Sequence, residues 1–363
     1  MIIRTPDYYD KFKCIAEKCT DTCCAGWQVD VDERSYAYYK TITGEFGDRL
    51  HSVMVDGKKG EEGQFRIRPD GRCPFLNDSG LCDLYTALGE DALCVTCDRY
   101  PRYTCEFGNL CETGIALSCK TAAELILSDD RTPGFVGHED KDVFPSLNDI
   151  NADLFTHLMK ARQHAFEIIW DRSHTIAERM ELLTDYGSKL QKLIKHPEKM
   201  DDVRETLYPD SHTCDEVKFY RKLWKLYMKQ VIIKKEWLGL WKCAEKNLYN
   251  GDYQATMEKY IKYYEPRMYE YENILTYFIF RYFMKGVFDG DVLTKVKFAV
   301  ISTLMIIQCD MAVWAEKGEL TFEDQVEITH IYSREVEHSE ENFDRLCRGF
   351  RRLPVSLFLG AKH

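Results

Sequence analysis

Apolar residues recur at helical spacing through most of the chain after Ile150. In NADLFTHLMKARQHAFEIIWDR, Leu154, Leu158, Ala161, Ala165 and Ile169 fall on one helix face. Thr175 and Glu178 have capping-box spacing and open a helix to about Ile194, which His196–Pro197 stops. Asp215 to about Asn247 reads as one long helical region carrying Trp224, Tyr227, Trp237 and Trp241, with Gly239 as its place to bend. Asp252 to Phe288 is Tyr-rich and helical, interrupted at Pro266, which disfavours a helical Glu265. Asp291 caps an apolar helix that ends near Gly318. Thr321 and Asp324 open the next, to about Glu337, and a last helix spans Asn342 to Phe350. The pattern predicts an all-α bundle of about seven helices. Its aromatic stripes, Phe278 and Phe283 among them, read as core, although Glu272, Asn273 and Arg281 lie in the same apolar text.

The first third has no such period. After Cys24 the text suggests a short strand and a short helix capped by Asp32, then a second short helix from Phe46 to Met54 and a turn-rich loop from Val55 to Gly63. QFRIRPDGRC alternates and then turns at Pro69–Asp70–Gly71. CPFLNDSGLCDLY turns at Asn77 to Gly80, so a hairpin brings Cys73 near Cys82. Glu112 to Leu127 reads as a helix, starting near LSC and ending at Ser128. Ser128 to Asp149 is rich in Asp, Gly and Pro and marks the boundary, with His138 and Glu139 reading as solvated. The expected organisation is therefore mainly α: a loop-rich, cysteine-rich domain with short strands over 1–127, a linker over 128–149 and a helical bundle over 150–363.

Composition narrows the function. The net charge of -11 argues against nucleic-acid binding and offers weak support for lysine-rich partners. Phe298 to Ala315 is as long as a membrane span, but Gln308 and Asp310 interrupt it and charged helices flank it, so it reads as the central helix of the bundle. The opening MIIRTPDYYDKF carries charge where a secretion signal needs an apolar core, which points to the cytoplasm.

Cysteine changes the picture most. Eleven of the fifteen cysteines precede Leu127. They form FKCIAEKCTDTCCAGW, RCPFLNDSGLC and ALCVTC, followed by Cys105, Cys111 and LSC. In a reducing compartment such density reads as metal binding or catalysis rather than a disulfide framework, and the odd total agrees. Clustered thiolates suit zinc or an iron–sulfur cluster. Spacing does not choose between them: the ferredoxin spacings are absent, and Gly26 stands where a CxxxCxxC would need its third cysteine. Cys214, Cys243, Cys309 and Cys347 are scattered through helical text and read as small buried hydrophobes.

The order CxxxxCxxxCC–GW, then CPFLxxxGLCxLYxxLGExxLCxTCxRYPR, then LSC, resembles the CxxCxxCC-type cysteine-rich family, and within it the flagellin lysine-N-methylases. Gly26–Trp27, Gly80–Leu81–Cys82, Leu88–Gly89–Glu90 and Tyr100–Pro101–Arg102 fall where that family has them. The likeness is dense over about the first 125 residues and loose beyond, where ENILTYFIFRYF and YSREVEHS also look similar to family segments. The resemblance implies S-adenosylmethionine-dependent methylation of flagellin lysines and an iron–sulfur cluster, a 4Fe–4S centre. Its metal-binding set is Cys14, Cys19, Cys23, Cys24, Cys73, Cys82, Cys94, Cys97 and Cys119; Cys105 and Cys111 are least tied to the pattern.

YSREVEHS makes Tyr332, Arg334, Glu337 and His338 the candidate catalytic residues of a polar pocket. Against this stands a solvated, charge-rich helix face held by i,i+3 and i,i+4 pairs. Two E-x-x-H pairs, Glu327 with His330 and Glu335 with His338, share one continuous helix, whereas di-iron bundles take theirs from facing helices. Lysine must be neutral to attack a sulfonium-bound methyl, so a site must desolvate it or offer a base. No glycine-rich loop follows a strand, so S-adenosylmethionine is not expected on a doubly wound sheet. The competing function is a non-catalytic metal-chelating or electron-transfer protein with a helical partner-binding domain.

Overall fold

The computed structural model describes residues 1–26, 29–57, 62–141, 145–146, 150–207 and 215–355. Trp27 and Cys214 lie outside the described residues, as do 58–61 of the expected loop, parts of the 128–149 segment and the tail after 355.

The first third combines short strands and helices: β1 Ile2–Pro6, β2 Asp30–Val31, α1 Glu33–Thr41, α2 Gly44–Val53, β3 Met54–Asp56, β4 Gly63–Phe65, α3 Asp83–Leu88, α4 Val95–Arg99, β5 Arg102–Phe107, β6 Leu110–Ile115 and α5 Lys120–Leu127. Asp32 caps α1 as expected, its carboxylate accepting from the Ser35 amide at 3.0 Å. The turn at Asn77 closes a hairpin in which Leu76 bridges Cys82. Two cores form here. Val29, Val31, Tyr39, Leu50, Phe65, Phe75 and Leu84 build a small one around the antiparallel sheet β2-β4-β3. Phe12, Phe107, Ile115, Leu117 and Ile126 instead join the large core of the helical part. Packing therefore divides the chain within the expected 1–127 unit.

One expectation holds only in part. The helix expected to start near LSC and end at Ser128 is α5, capped by Cys119 and Ser128, but residues from Glu112 to Ile115 belong to β6. β6 pairs parallel with β1 and antiparallel with β5. Gly114 permits this, since a Cβ there would stand 2.4 Å from the Tyr103 hydroxyl on the facing strand. Glu112 turns into the core, where Arg162 grips it with two bonds of 2.6 and 2.5 Å. Tertiary pairing thus overrides the local helical pattern. Part of the segment after α5 also joins the sheet. Its strand β7, Phe135–Glu139, pairs antiparallel with β1 and completes the sheet β5-β6-β1-β7. Phe135 stacks on Phe280 at 4.7 Å, while His138 is exposed on the same strand.

The rest is helical, as the periodicity predicts, but with ten α-helices among the described residues where about seven are expected: α6 Ala152–Trp170, α7 Ile176–Lys192, α8 Glu216–Tyr227, α9 Lys235–Ala244, α10 Tyr253–Tyr264, α11 Tyr269–Tyr282, α12 Gly286–Asp289, α13 Val292–Lys317, α14 Phe322–Glu337 and α15 Glu340–Arg351. Thr175 with Glu178 and Thr321 with Asp324 make both expected capping boxes. Asp291 caps α13, and Gly318 ends it in the left-handed conformation with φ +83°. The long 215–247 region breaks at 228–234 rather than at Gly239. The β-branched run Val231–Ile233 is a poor helix former, and its amides bond to Asn342 and Glu335 instead of continuing α8. α13 is long and apolar enough to cross a membrane, but most of it is buried as the central helix, packed by α7, α9, α11, α14 and α15.

Candidate functional site

Six of the nine singled-out cysteines line one cavity of about 60 Å³: Cys23, Cys24, Cys73, Cys82, Cys94 and Cys97. They arrive on separate loops. Cys23 and Cys24 sit on the turn before β2, Cys73 and Cys82 on the hairpin, Cys94 and Cys97 at the start of α4. Backbone bonds tie the loops together. The Cys73 amide donates to the Cys24 carbonyl at 2.7 Å, and the Gly26 amide to that of Gly71 at 2.9 Å. The Thr96 hydroxyl donates to the Asp30 carbonyl at 2.8 Å. Val29, Phe65, Phe75 and Leu84 supply apolar walls. Two thiols are easier to ionise than usual: a bond from Cys23 lowers Cys24, and one from Cys97 lowers Cys94, both against burial.

Cys14, Cys19 and Cys119 form a neighbouring group. Burial pushes the Cys19 and Cys119 thiols up, and the charge of Cys14 adds to it. Cys105 and Cys111 stand apart on β5 and β6. Among the described residues no three His, Cys, Asp or Glu side chains converge as a ready-made metal site. The donor chemistry of the cavity nevertheless fits a thiolate-bound metal or cluster, because six soft ligands share one apolar-walled space.

The second candidate stretch forms α14, and its face is not solvated: Gln325, Val326 and Ile328 to Val336 are buried. This helix meets the cysteine loops through Asp21, which lies between Cys19 and Cys23. The Asp21 carboxylate bonds His330 Nε2 at 2.6 Å and accepts from Lys234 Nζ at 2.6 and 2.7 Å and from Arg334 Nη1 at 3.1 Å. Burial pushes this carboxyl up, but His330, Lys234 and the Arg334 charge hold it well below the usual range.

Three of the four candidate catalytic residues line up beside the cysteine-rich part. Arg334 also donates to the Ala25 carbonyl at 2.5 Å. Glu337 is fully buried; it accepts from Tyr282 at 2.6 Å, Tyr277 at 3.1 Å and Ser333, and pairs with Arg281 at 3.0 Å. His338 meets the Tyr100 ring edge-on at 5.6 Å, and Tyr100 lines the cysteine cavity. Burial, then Arg334 and Arg281, lower His338 to about 3, so its ring is neutral. Tyr332 turns away into the core, its hydroxyl bonded to Tyr227 at 2.7 Å and Ser302 at 2.8 Å.

The E-x-x-H pairs do not act as pairs. Glu327 meets Lys120, His330 meets Asp21, Glu335 meets the Ile233 and Lys234 amides, and His338 meets Tyr100. Sequence reasoning missed Asp21, Lys234 and the role of Glu335. Asp21 is an acid in a polar loop and Lys234 one of two adjacent lysines, and neither carries a local signal of its partner.

Residues 162–355, just over half of the chain, match a family model described as the FliB lysine N-methylase C-terminal domain. The lysine-N-methylase of Salmonella typhimurium is 27% identical over 131 residues, 35% of this chain and 33% of that protein. The flagellar biosynthetic protein FliU of Salmonella muenchen is 26% identical over 131 residues, 35% of this chain and 78% of that protein. The chain thus spans about a third of the length of the first of these relatives. No solved structure matches. The family model covers the helical part and α14, where the likeness in sequence was loosest, and with it this chain belongs to the FliB lysine N-methylase family.

Proposed function

We propose that this chain is a cytoplasmic protein-lysine N-methyltransferase that uses S-adenosylmethionine, acts on flagellin and carries a 4Fe–4S cluster among the cavity cysteines. The observation that carries the reading is the junction at Asp21. It joins the cysteine loops to α14, so that two stretches picked out separately in sequence form one polar and thiol-rich region. The names of the Salmonella relatives support lysine methylation and a flagellar substrate.

S-adenosylmethionine would supply a sulfonium-bound methyl group, and four of the cavity cysteines would hold the cluster. The chain's own groups suit the remaining tasks. Asp21 stays ionised and already holds one ammonium, that of Lys234. His338 stays uncharged beside Tyr100. The apolar walls beside the thiols would lower the local polarity, which favours the neutral amine that the displacement needs.

Anaerobic purification with iron, sulfide and zinc analysis tests the centre, with visible spectra before and after S-adenosylmethionine. Transfer of labelled methyl to flagellin tests the activity. Iron with matching sulfide, a spectrum moved by the cofactor and label on flagellin lysines are expected. Zinc without iron overturns the cluster. A metal centre without cofactor binding or transfer overturns the enzyme in favour of a chelating or electron-transfer protein.

A further inference from the structure

Arg334 makes more bonds to the cysteine turn than any other residue of α14. It donates to Asp21 at 3.1 Å, to the Thr22 carbonyl at 3.5 Å and to the Ala25 carbonyl at 2.5 Å. All three acceptors belong to the turn that carries Cys23 and Cys24. His330 and Lys234 bond to the same Asp21 carboxylate from α14 and from the segment before α9. The other edge of the turn is bonded to residues 71–73, next to Cys73, and Ala25 bridges Arg72. The turn is therefore clamped from both sides. Gly26 adopts φ +86°, and a Cβ there would press to 3.4 Å from Arg334 Nη2, so the guanidinium lies close against the backbone.

This arrangement exceeds what helix packing alone would require. Arg334 and His330 are almost fully buried, and burying charge is costly unless hydrogen bonds replace water. Nearby carboxylates are committed elsewhere: Glu335 to the Ile233 and Lys234 amides, Glu327 to Lys120. The two permanent cations thus converge on one loop acid and the adjoining carbonyls, within a few residues of two thiols. Groups that orient a ligand loop in this way set metal affinity without touching the metal.

We propose that Asp21, Arg334, His330 and Lys234 are positioning residues that set Cys23 and Cys24 against Cys73, Cys82, Cys94 and Cys97. The inference rests on the reading of the cavity as a metal–thiolate centre. It assigns to α14 the task of holding that centre's ligand loop.

The test compares the wild-type chain with Asp21→Asn, Asp21→Glu, Lys234→Met and Arg334→Gln, all purified anaerobically. Metal and sulfide content, the visible spectrum, the rate of metal loss to a chelator and helical circular dichroism are recorded. Asp21→Asn and Arg334→Gln are expected to lose metal about 10-fold faster than wild type with helicity unchanged. Asp21→Glu is expected to recover part of the loss. Should Arg334→Gln not fold, Asp21→Asn and Lys234→Met decide. Unchanged metal loss and spectra in those two overturn the inference while leaving the centre intact. A wild-type chain that binds no metal overturns the reading of the cavity instead. Mass-spectrometric alkylation rates at Cys23 and Cys24 in metal-free protein then judge the clamp alone: faster alkylation in Asp21→Asn supports it, and equal rates overturn it.

Discussion

Asp21 and His330 stand 2.6 Å apart although 309 positions separate them in the chain. The contact fastens a turn of irregular backbone, flanked by cysteines, to α14, whose Gln325, Thr329, His330, Ser333, Arg334 and Glu335 are all buried. A loop-rich segment with a small apolar core gains little stability by itself. Here it gains rigidity from the neighbouring helix and, on the proposed function, from a bound metal centre.

On the proposed function the cavity cysteines differ in role from the strand cysteines. Cys94→Ser with Cys97→Ser is expected to abolish metal binding, because both thiols line the cavity. Cys105→Ser with Cys111→Ser is expected to leave it within about two-fold, because their strands lie elsewhere. Metal analysis of the two double variants checks this.

Glu335 makes stability depend on pH. Burial pushes its carboxyl up to about 7, above the ordinary 4.5, although the Lys234 and Ile233 amides pull it down. Between those values the native chain holds a proton that the unfolded chain has released. Stability is therefore expected to fall as pH rises from about 4.5 to 7, by about 3 kcal/mol. Glu335→Gln should flatten that part of the profile, as measured by denaturant unfolding across the pH range.

Arg162 and Glu112 join β6 to α6 as a buried bidentate pair. Arg162→Met leaves Glu112 with the more distant Arg4 at 3.8 Å and is expected to cost about 3–5 kcal/mol. Adding Glu112→Leu should recover much of that loss. Chemical denaturation of the single and double variants measures the difference.

Tyr332 separates a packing role from a catalytic one. Its hydroxyl is taken up by Tyr227 and Ser302 and its ring packs against Trp237. Tyr332→Phe is expected to lower stability by about 1 kcal/mol and, on the proposed function, to leave methyl transfer within about two-fold. A loss of turnover near a hundred-fold, with stability unchanged, would restore Tyr332 to the reacting site.

Local chemistry was enough to mark the helices, their caps and the cysteine-rich third. Capping boxes at Thr175 and Thr321, the Asp32 and Asp291 caps and the hairpin before Cys82 depend on residues a few positions apart, and the fold has each of them. The YSREVEHS stretch was also visible, but not the direction of its side chains. Tyr332 and Arg334 are two residues apart and point to opposite surroundings, which helical geometry decides only once the neighbours are placed. The strand at Glu112, the break before Lys235 and the junction at Asp21 came from tertiary structure alone. Each depends on a partner about 50 to 310 positions away: Arg162, Glu335 and Asn342, and His330 with Arg334. Hydrophobic period and capping are short-range signals, whereas a buried charge is explained only by the distant group that satisfies it.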